Sequence, residues 1–213
     1  MRAHTAFSAL RRTCAAAMLA LPALALAAYP EKPITIIVPF AAGGPTDVLT
    51  RVIAERMARE LAQPMIVENT PGAGGTVGNA RAARAKPDGY TVLAGNVGTL
   101  AASNSFYRKL PYDMHKDFVG IASIGDAPQI VSARKDFPPT GLEALHDYVK
   151  PQESKVTFGA AGVGSGSYLG GVLLNNALGL NVEAINYRGA GQALTDVIAG
   201  HVDYMVDSST TSV

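Results

Sequence analysis

The sequence predicts an α/β protein with two lobes, because strand-like and helix-like segments alternate along most of its length. Short apolar runs rich in β-branched residues have the length of buried strands, and the segments between them repeat their apolar residues at helical spacing. Glycine-rich or polar loops follow several of the predicted strands. Open α/β sheets bind their ligands at such strand ends. The order of the elements therefore predicts the fold class and the general position of a ligand site.

The first predicted strand covers residues 34–38 and leads into a glycine loop. Its isoleucine and valine side chains are typical of a strand covered on both faces. Gly43 and Gly44 have no Cβ, so the backbone there can approach a ligand closely. Thr46 or Asp47 is expected to cap the amphipathic helix that follows. Because a helix N-terminus with free amide hydrogens favours a carboxylate or phosphate, we expect an anion site at this turn.

The later elements repeat this order in both lobes. The pattern changes within residues 119–132, where turn residues separate two apolar stretches, and we place the crossing between lobes near residue 126. Lobe 1 is therefore assigned to residues 28–126 and lobe 2 to residues 127–213. The predicted elements are helices over 48–61, from 76 to about 85, over 142–149, from 168 to about 178 and over 192–199; strands over 65–68, 90–94, 156–159, 182–187 and 204–206; and loops over 69–75, 95–99 and 160–167.

Residues 1–27 have the pattern of a secretory signal peptide. Three arginines precede an apolar stretch at 15–26, and the residues at 25–27 fit the small-x-small rule for a cleavage site. No later segment has the roughly 20 apolar residues that a transmembrane helix needs. Cys14 would leave with the signal, which excludes disulfides and thiolate chemistry from the exported chain. We therefore expect an exported protein without a membrane anchor.

The charge balance argues against a nucleic-acid partner. The chain has 18 basic and 17 acidic residues, and the predicted signal holds three arginines and no acids, which leaves 15 basic and 17 acidic residues. The resulting net charge of −2 provides no basic excess for nucleic-acid binding. His115, His146 and His201 are scattered, without the spacing of a metal site. We therefore predict no nucleic-acid partner, no metal and no cofactor.

Two motifs suggest enzymes, and neither has the required context. Gly72, Gly74 and Gly78 approach the spacing of a dinucleotide-binding fingerprint. The acidic residue expected at the end of the next strand is absent, since Asp88 precedes that strand. Ser165 and Ser167 lie in a glycine-rich loop that lacks the G-x-S-x-G register of a nucleophile elbow. We interpret the glycines as a structural turn and the serines as helix caps or ligand donors. No catalytic residue is predicted.

Two predicted strand ends in lobe 2 allow more than one interpretation. Asp207 ends the last strand, where its carboxylate acts either as a general base or as an acceptor of hydrogen bonds from a ligand or the backbone. Tyr187 and Arg188 either pack at their strand end or recognise an anion, since arginine has the geometry to bind carboxylates.

Six segments in a fixed order resemble the periplasmic receptors of tripartite tricarboxylate transporters, also called Bug receptors. They are KPI at 32–34, VPFAAGGPTD at 38–47, VENTPGAGG at 67–75, PDGYT at 87–91, PYD at 111–113 and YRG at 187–189. The ordered set is specific, and the resemblance covers the chain from about Tyr29 to its end. It implies a type II periplasmic-binding-protein fold, a Venus flytrap of two α/β lobes. It also implies a periplasmic, monomeric receptor, not an enzyme, that captures a small carboxylate for membrane permease subunits.

The resemblance places the ligand site on this sequence residue by residue. One wall is expected from the 40–47 segment and the loop after the third strand, and the opposite wall from three strand ends of lobe 2. The expected ligand-binding residues are Phe40, Ala42, Gly43, Gly44, Thr46, Asp47, Asn96, Thr99, Gly162, Ser165, Ser167, Tyr187, Arg188, Gly189 and Asp207. The family relies on main-chain amides and ordered water more than on arginine, which agrees with the few basic residues in these loops.

The C-terminus departs from the family pattern. Family members continue beyond the position of Val213, finish the second domain and return to the sheet of the first, so we expect a truncated chain with both lobes incomplete. The alternative function is a secreted α/β enzyme, such as a hydrolase acting on a small carboxylate or ester, which would need a positioned nucleophile and base. The residues leave dicarboxylates, tricarboxylates, acidic amino acids and aromatic acids open as ligands.

Overall fold

Two sheets with helices packed on them make up the described part of the chain. The computed structural model describes residues 29–212, with side chains through residue 210. The chain divides into residues 1–31 and a compact unit of residues 32–213. The predicted signal peptide at 1–27, with Cys14, lies outside the described residues. Within those residues, no helix is both long enough and apolar enough to cross a bilayer.

The first sheet has three parallel strands, with β1 (Ile34–Val38) between β2 (Met65–Asn69) and β3 (Thr91–Leu93). Parallel strands need crossover connections, and the crossovers contain α1 (Pro45–Leu61) and α2 (Thr76–Ala83). The isoleucine and valine side chains of β1 are at most 5% exposed, as predicted for a strand covered on both faces. We call residues 32–118, which contain this sheet, the first half of the fold, and residues 129–212, which contain the second sheet, the second half. The three strands and two helices of the first half confirm the element order predicted from the sequence.

The chain after β3 is more helical than predicted. The sequence predicts only a polar loop over 95–99, whereas the structure has a π-helical segment (Gly98–Ala102) that continues into α3 (Ser103–Phe106). Residues 119–128 then lead to the second sheet without regular structure. The predicted crossing near residue 126 lies in this segment, and the division into lobes stays a prediction.

The second sheet consists of β4 (Gln129–Ala133), β5 (Thr157–Ala160), β6 (Glu183–Asn186) and β7 (Tyr204–Ser208). Their order in the sheet is β4-β7-β5-β6, in which β4 is antiparallel to β7 and the other neighbours are parallel. Strands β5, β6 and β7 confirm the predicted strands to within two residues. The other elements are α4 (Leu142–Val149), a 3₁₀ segment (Lys150–Lys155), α5 (Gly166–Ala177), α6 (Ala190–Ala199) and α7 (Ser209–Ser212).

A buried apolar cluster joins the two sheets at their strand ends. Phe40, Ala94, Ala161 and Ala190, which follow β1, β3, β5 and β6, all belong to it. Each is at most 6% exposed. The loops that follow these four strands are therefore packed around one core, which brings the polar residues of both halves into the same region.

Candidate functional site

The turn between β1 and α1 is built on two glycines with different roles. Gly43 has a φ of +86°, a conformation that favours glycine. Gly44 is the N-cap of α1 and Pro45 is its first residue. Neither Thr46 nor Asp47 is the cap, so that prediction is wrong. Proline suits the first helical position because the N–H that it lacks would have no intrahelical partner.

Asp47 closes this turn through hydrogen bonds to its buried carboxylate. The Asp47 side chain is 3% exposed. Its carboxylate accepts hydrogen bonds from the Gly43 amide at 2.9 Å, from Arg51 Nε at 3.0 Å and from Asn69 Nδ2 at 2.8 Å. Burial alone would raise the pKa of this carboxyl, but these hydrogen bonds and the charge of Arg51 lower it below its ordinary value. The Gly43 amide, predicted to face a ligand, is therefore engaged within the protein.

Asn96 orders the loop after β3 with its oxygen and directs its nitrogen towards α1. Oδ1 accepts hydrogen bonds from the amides of Gly98 and Thr99 at 3.0 and 3.2 Å. Nδ2 lies 3.4 Å from Thr46 Oγ1. The Thr99 hydroxyl is fully buried and exchanges hydrogen bonds with the Asn96 backbone at 3.1 and 3.2 Å. Thr99 therefore shapes the loop, while the Asn96 amide and the Thr46 hydroxyl form a polar pair.

Two serines order the loop between β5 and α5. Ser165 is the N-cap of α5, and its hydroxyl accepts a hydrogen bond from the Tyr168 amide at 3.2 Å. The Ser167 hydroxyl accepts a hydrogen bond from the Ala161 amide at 2.9 Å and lies 3.2 Å from Ser165 Oγ. Capping by Ser165 confirms one of the two roles predicted for these serines. The loop is held in a fixed shape at the start of a helix.

Seven predicted site residues line one cavity of about 720 Å³, which we call the main cavity. Loops from both sheets contribute to it. The seven are Phe40, Gly44, Thr46, Asn96, Ser165, Ser167 and Asp207.

Three helix N-termini border the main cavity, and its described lining contains no lysine, arginine or histidine. The termini are those of α1 at residues 44–46, α5 at residues 165–167 and α6 at Ala190, and these helices have 17, 12 and 10 residues. Amide hydrogens at a helix N-terminus carry partial positive charge. The only charged side chains of the described lining are the carboxylates of Asp126 and Asp207. An anion in this cavity would therefore be held by main-chain and neutral polar groups.

Three other predicted residues, Gly162, Tyr187 and Arg188, line a different cavity of about 590 Å³, which we call the second cavity. The Tyr187 hydroxyl donates to Asp196 Oδ2 at 2.6 Å, and burial with this hydrogen bond raises the pKa of Tyr187 to about 12. The second cavity also contains Gln192, whose Oε1 accepts from the Arg188 amide at 3.2 Å. Arg188, which the sequence predicted in a wall of the ligand site, therefore lines the second cavity and not the main cavity.

The remaining predicted residues line neither cavity. Gly189 instead lets two loops meet, because a Cβ at Gly189 would lie 2.9 Å from Ala41 Cβ, and the Ala41 amide donates to the Arg188 carbonyl at 3.3 Å. The structure therefore divides the predicted site. The residues that line neither cavity are Ala42, Gly43, Asp47, Thr99 and Gly189.

Sequence reasoning missed the apolar lining of the main cavity and two polar residues of the second sheet. Helical spacing could have predicted three of the apolar lining residues, because residues three or four apart lie on the same face of a helix. Leu49 lies three residues after Thr46 on α1, and Leu169 and Leu173 lie four and eight residues after Ser165 on α5. The missed lining residues include Leu49, Leu93, Val97, Leu100, Gln129, Leu169, Leu173 and Ser208.

Across residues 29–210, no three histidine, cysteine, aspartate or glutamate side chains come together as a metal site. The neutral donors of the main cavity are hydroxyl and amide groups, which suit an organic anion.

Three kinds of comparison, with a family model, with curated proteins and with solved structures, relate this chain to known proteins. Residues 49–213 match the family model described as tripartite tricarboxylate transporter family receptor. A curated protein of Agrobacterium vitis, the UPF0065 protein in the TAR-I ttuE-ttuC' intergenic region, is 41% identical over 184 residues. That match covers 86% of this chain and 53% of the relative. The chain thus spans about half the length of this relative.

Solved structures share the fold. The structure of the periplasmic binding protein BugD superposes with a TM-score of 0.80 at 42% identity, over 85% of this chain and 60% of BugD. MatC from Rhodopseudomonas palustris, solved with bound malate, superposes with a TM-score of 0.81 at 40% identity, over 84% of this chain and 61% of MatC. These similarities confirm the predicted type II periplasmic-binding-protein fold class.

Proposed function

Because the chain belongs to the tripartite tricarboxylate transporter receptor family, we propose that it is a solute-binding receptor that captures a small carboxylate in the main cavity. We place it in the periplasm, where it delivers its ligand to the membrane permease subunits of a tripartite tricarboxylate-type transporter. It acts as a monomer, without a cofactor and without catalysis. The relation to MatC, which holds malate, supports a dicarboxylate as the ligand class.

The convergence of three helix N-termini on a cavity without cationic side chains carries this proposal. Each such terminus stabilises a nearby anion, by up to about 2 kcal/mol in partly buried geometries. The three termini come from both halves of the fold, so an anion between them contacts both. The ligand thereby links the two halves, as a receptor that closes on its solute requires.

The side chains around these termini complete the carboxylate site. The Thr46 hydroxyl and the Asn96 amide approach each other at 3.4 Å from the first half. Ser165 and Ser167 face the main cavity from the second half. Hydroxyl and amide donors hold a carboxylate by hydrogen bonds without the fixed charge of arginine. We propose that these four side chains and the Gly44 backbone contact the ligand, with Phe40 and Asp207 bordering it.

Calorimetric titration of the purified chain with malate, adipate and the neutral diamide of malate tests the function. We expect saturable, stoichiometric binding of at least one dicarboxylate and none of the diamide, with the ligand recovered chemically unchanged. Equal binding of diamide and diacid would contradict an anion site. Conversion of the ligand would contradict the receptor function and favour an enzyme.

A charge change inside the main cavity provides a matched test of the site. Asn96→Asp keeps the oxygen that accepts from Gly98 and Thr99 but replaces the donor near Thr46 with a negative oxygen. Repulsion should weaken dicarboxylate binding at least about 10-fold. Asn176→Asp makes the same charge change at an exposed position at the far end of α5 and should leave affinity within about 2-fold. Equal effects of the two variants would place the ligand elsewhere.

A further inference from the structure

The loop of residues 161–167 borders both cavities. Gly162 and Val163 line the second cavity, Ser165 and Ser167 line the main cavity, and Ala161 lines both. The same loop begins α5, whose N-terminus faces the main cavity. A contact with Gly162 or Val163 at the second cavity therefore lies within five residues of the two serines in the main cavity.

The two halves of the fold meet at this loop through backbone that leaves no room for side chains. A Cβ at Gly74 would lie 1.8 Å from the Val163 carbonyl oxygen, and a Cβ at Gly98 would lie 2.6 Å from the Gly164 carbonyl oxygen. A Cβ at Gly162 would lie 2.9 Å from the Gly74 amide nitrogen. Such distances are shorter than real Cβ contacts, so the halves approach this closely only because these positions are glycine.

Tyr107 bridges the same contact from the end of α3. Its hydroxyl oxygen lies 2.8 Å from the Ala73 carbonyl oxygen and 2.7 Å from the Val163 carbonyl oxygen. These two carbonyls belong to opposite halves of the fold. The hydroxyl has one hydrogen, so the two carbonyl oxygens share a single donor. Burial raises the pKa of Tyr107, so the hydroxyl keeps this hydrogen at neutral pH.

We propose that Tyr107 is a positioning residue for ligand binding, which joins the Ala73 and Val163 carbonyls and thereby holds the 161–167 loop with its serines in the main cavity. Tyr107 lines only the second cavity, so it acts on the ligand through the loop and not by direct contact. The ligand is the small carboxylate of the proposed function, on which this inference rests. The contact between the halves does not depend on that function.

Two tyrosine variants test this role with a matched control. Tyr107→Phe removes only the bridging hydroxyl. Tyr168→Phe removes a hydroxyl that makes no hydrogen bond within the described residues, from a ring that packs edge-on against Phe106. Loss of a hydrogen bond that positions the loop should raise the Kd for malate about 5- to 10-fold, mainly through faster dissociation. The control should stay within about 2-fold of the wild type in Kd and dissociation rate. Unchanged malate dissociation in Tyr107→Phe would overturn the inference.

Hydrogen exchange in the absence of ligand separates this inference from the proposed function. Peptides covering residues 161–167 should exchange several-fold faster in Tyr107→Phe than in the wild type or in Tyr168→Phe. This readout needs no ligand, so a chain that binds no dicarboxylate refutes the proposed function and still reports on Tyr107. Equal exchange in both variants would overturn the positioning role.

A glycine pair provides a second test that does not involve the tyrosine hydroxyl. Gly98→Ala would place a Cβ 2.6 Å from the Gly164 carbonyl oxygen and force the halves apart. Gly120→Ala adds the same methyl group at a position with nothing within 4 Å. We expect Gly98→Ala to weaken malate binding at least 10-fold and to speed exchange at 161–167, with no change for Gly120→Ala. If Gly98→Ala bound malate and exchanged the 161–167 amides as the wild type does, ligand binding would not require the close approach of Gly98 to the Gly164 carbonyl.

Discussion

Asp47→Asn tests whether the turn before α1 depends on a buried carboxylate. Each oxygen of Asp47 accepts hydrogen bonds: Oδ1 from Asn69 Nδ2, Oδ2 from the Gly43 amide, and both from Arg51 Nε. Asparagine has the same shape but replaces one oxygen with an NH₂ group. Either the Gly43 amide or the Asn69 amide then faces another donor instead of an acceptor.

The structure gives the size of the expected effect. A hydrogen bond to a charged group contributes about 1.5–3 kcal/mol, and because the bonds from Gly43 and Asn69 to the buried Asp47 carboxylate are only part-buried, the loss of one lies at the lower end of that range. Arg51 is half-exposed and regains water, so its lost ion pair adds at most about 1 kcal/mol. We expect Asp47→Asn to lower the free energy of unfolding by about 2 kcal/mol, and for a chain of this length the melting temperature by about 4–8 °C.

Urea unfolding followed by circular dichroism measures this loss, with Arg51→Gln as the control. Arg51→Gln removes the cation, but the Gly43 amide still donates to Asp47 Oδ2. The control should therefore lose clearly less unfolding free energy than Asp47→Asn. Because Asp47 also fixes the turn beside the ligand, malate affinity should fall about 10-fold in Asp47→Asn, equivalent to about 1.4 kcal/mol of lost preorganisation. A loss of less than about 0.5 kcal/mol in Asp47→Asn, with unchanged malate affinity, would show that the turn does not depend on the carboxylate.

Three further predictions follow from the same contacts. Gly44→Val should weaken malate binding without changing the circular dichroism, because Gly44 lines the main cavity and valine adds bulk beyond a Cβ that already lies 3.8 Å from the Ala190 amide nitrogen. Gly44→Ala, which fits, should bind malate nearly normally. The difference in unfolding free energy between wild type and Asp47→Asn should reach its maximum above a pH of about 4, the pKa of Asp in the unfolded state. It should decrease as the pH falls through the lowered pKa of Asp47 in the folded state, which urea unfolding at a series of acidic pH values would measure. Tyr204→Phe should cost about 1–3 kcal/mol in urea unfolding, since it removes the fully buried hydroxyl that donates to Asn175 Oδ1; a cost below about 0.5 kcal/mol would contradict this.

The strands could be predicted because their signals are local. Residues 34–38 are apolar and β-branched, and such a run has few alternatives to a buried strand. The helical segments over 98–102 and 103–106 were missed because Gly98 and Asn96 are typical of loops, and the helix there is short. Its start depends on the Asn96 side chain accepting the amides of residues 98 and 99, a contact that composition does not reveal.

The site was predicted only in part, because strand ends give the edge of a sheet and not the direction of each loop. Asn96 and Ser165 follow different strands and both face the main cavity, as the strand-end rule predicts. Arg188 follows β6 in the same way but lines the second cavity, because Gly189 packs against Ala41 and fixes the loop there. That packing joins residues far apart in the chain, so only the folded structure reveals it.

The response of individual amides to malate in proton–nitrogen spectra shows directly where the ligand binds. We expect saturable shifts at Gly44, at residues 165–167 and at Ala190, the three helix N-termini of the main cavity. The Gly43 amide, already bonded to Asp47, should move less than the Gly44 amide. Shifts confined to Tyr187 and Arg188 would place the ligand in the second cavity and contradict carboxylate binding in the main cavity. The absence of saturable shifts anywhere would contradict it as well.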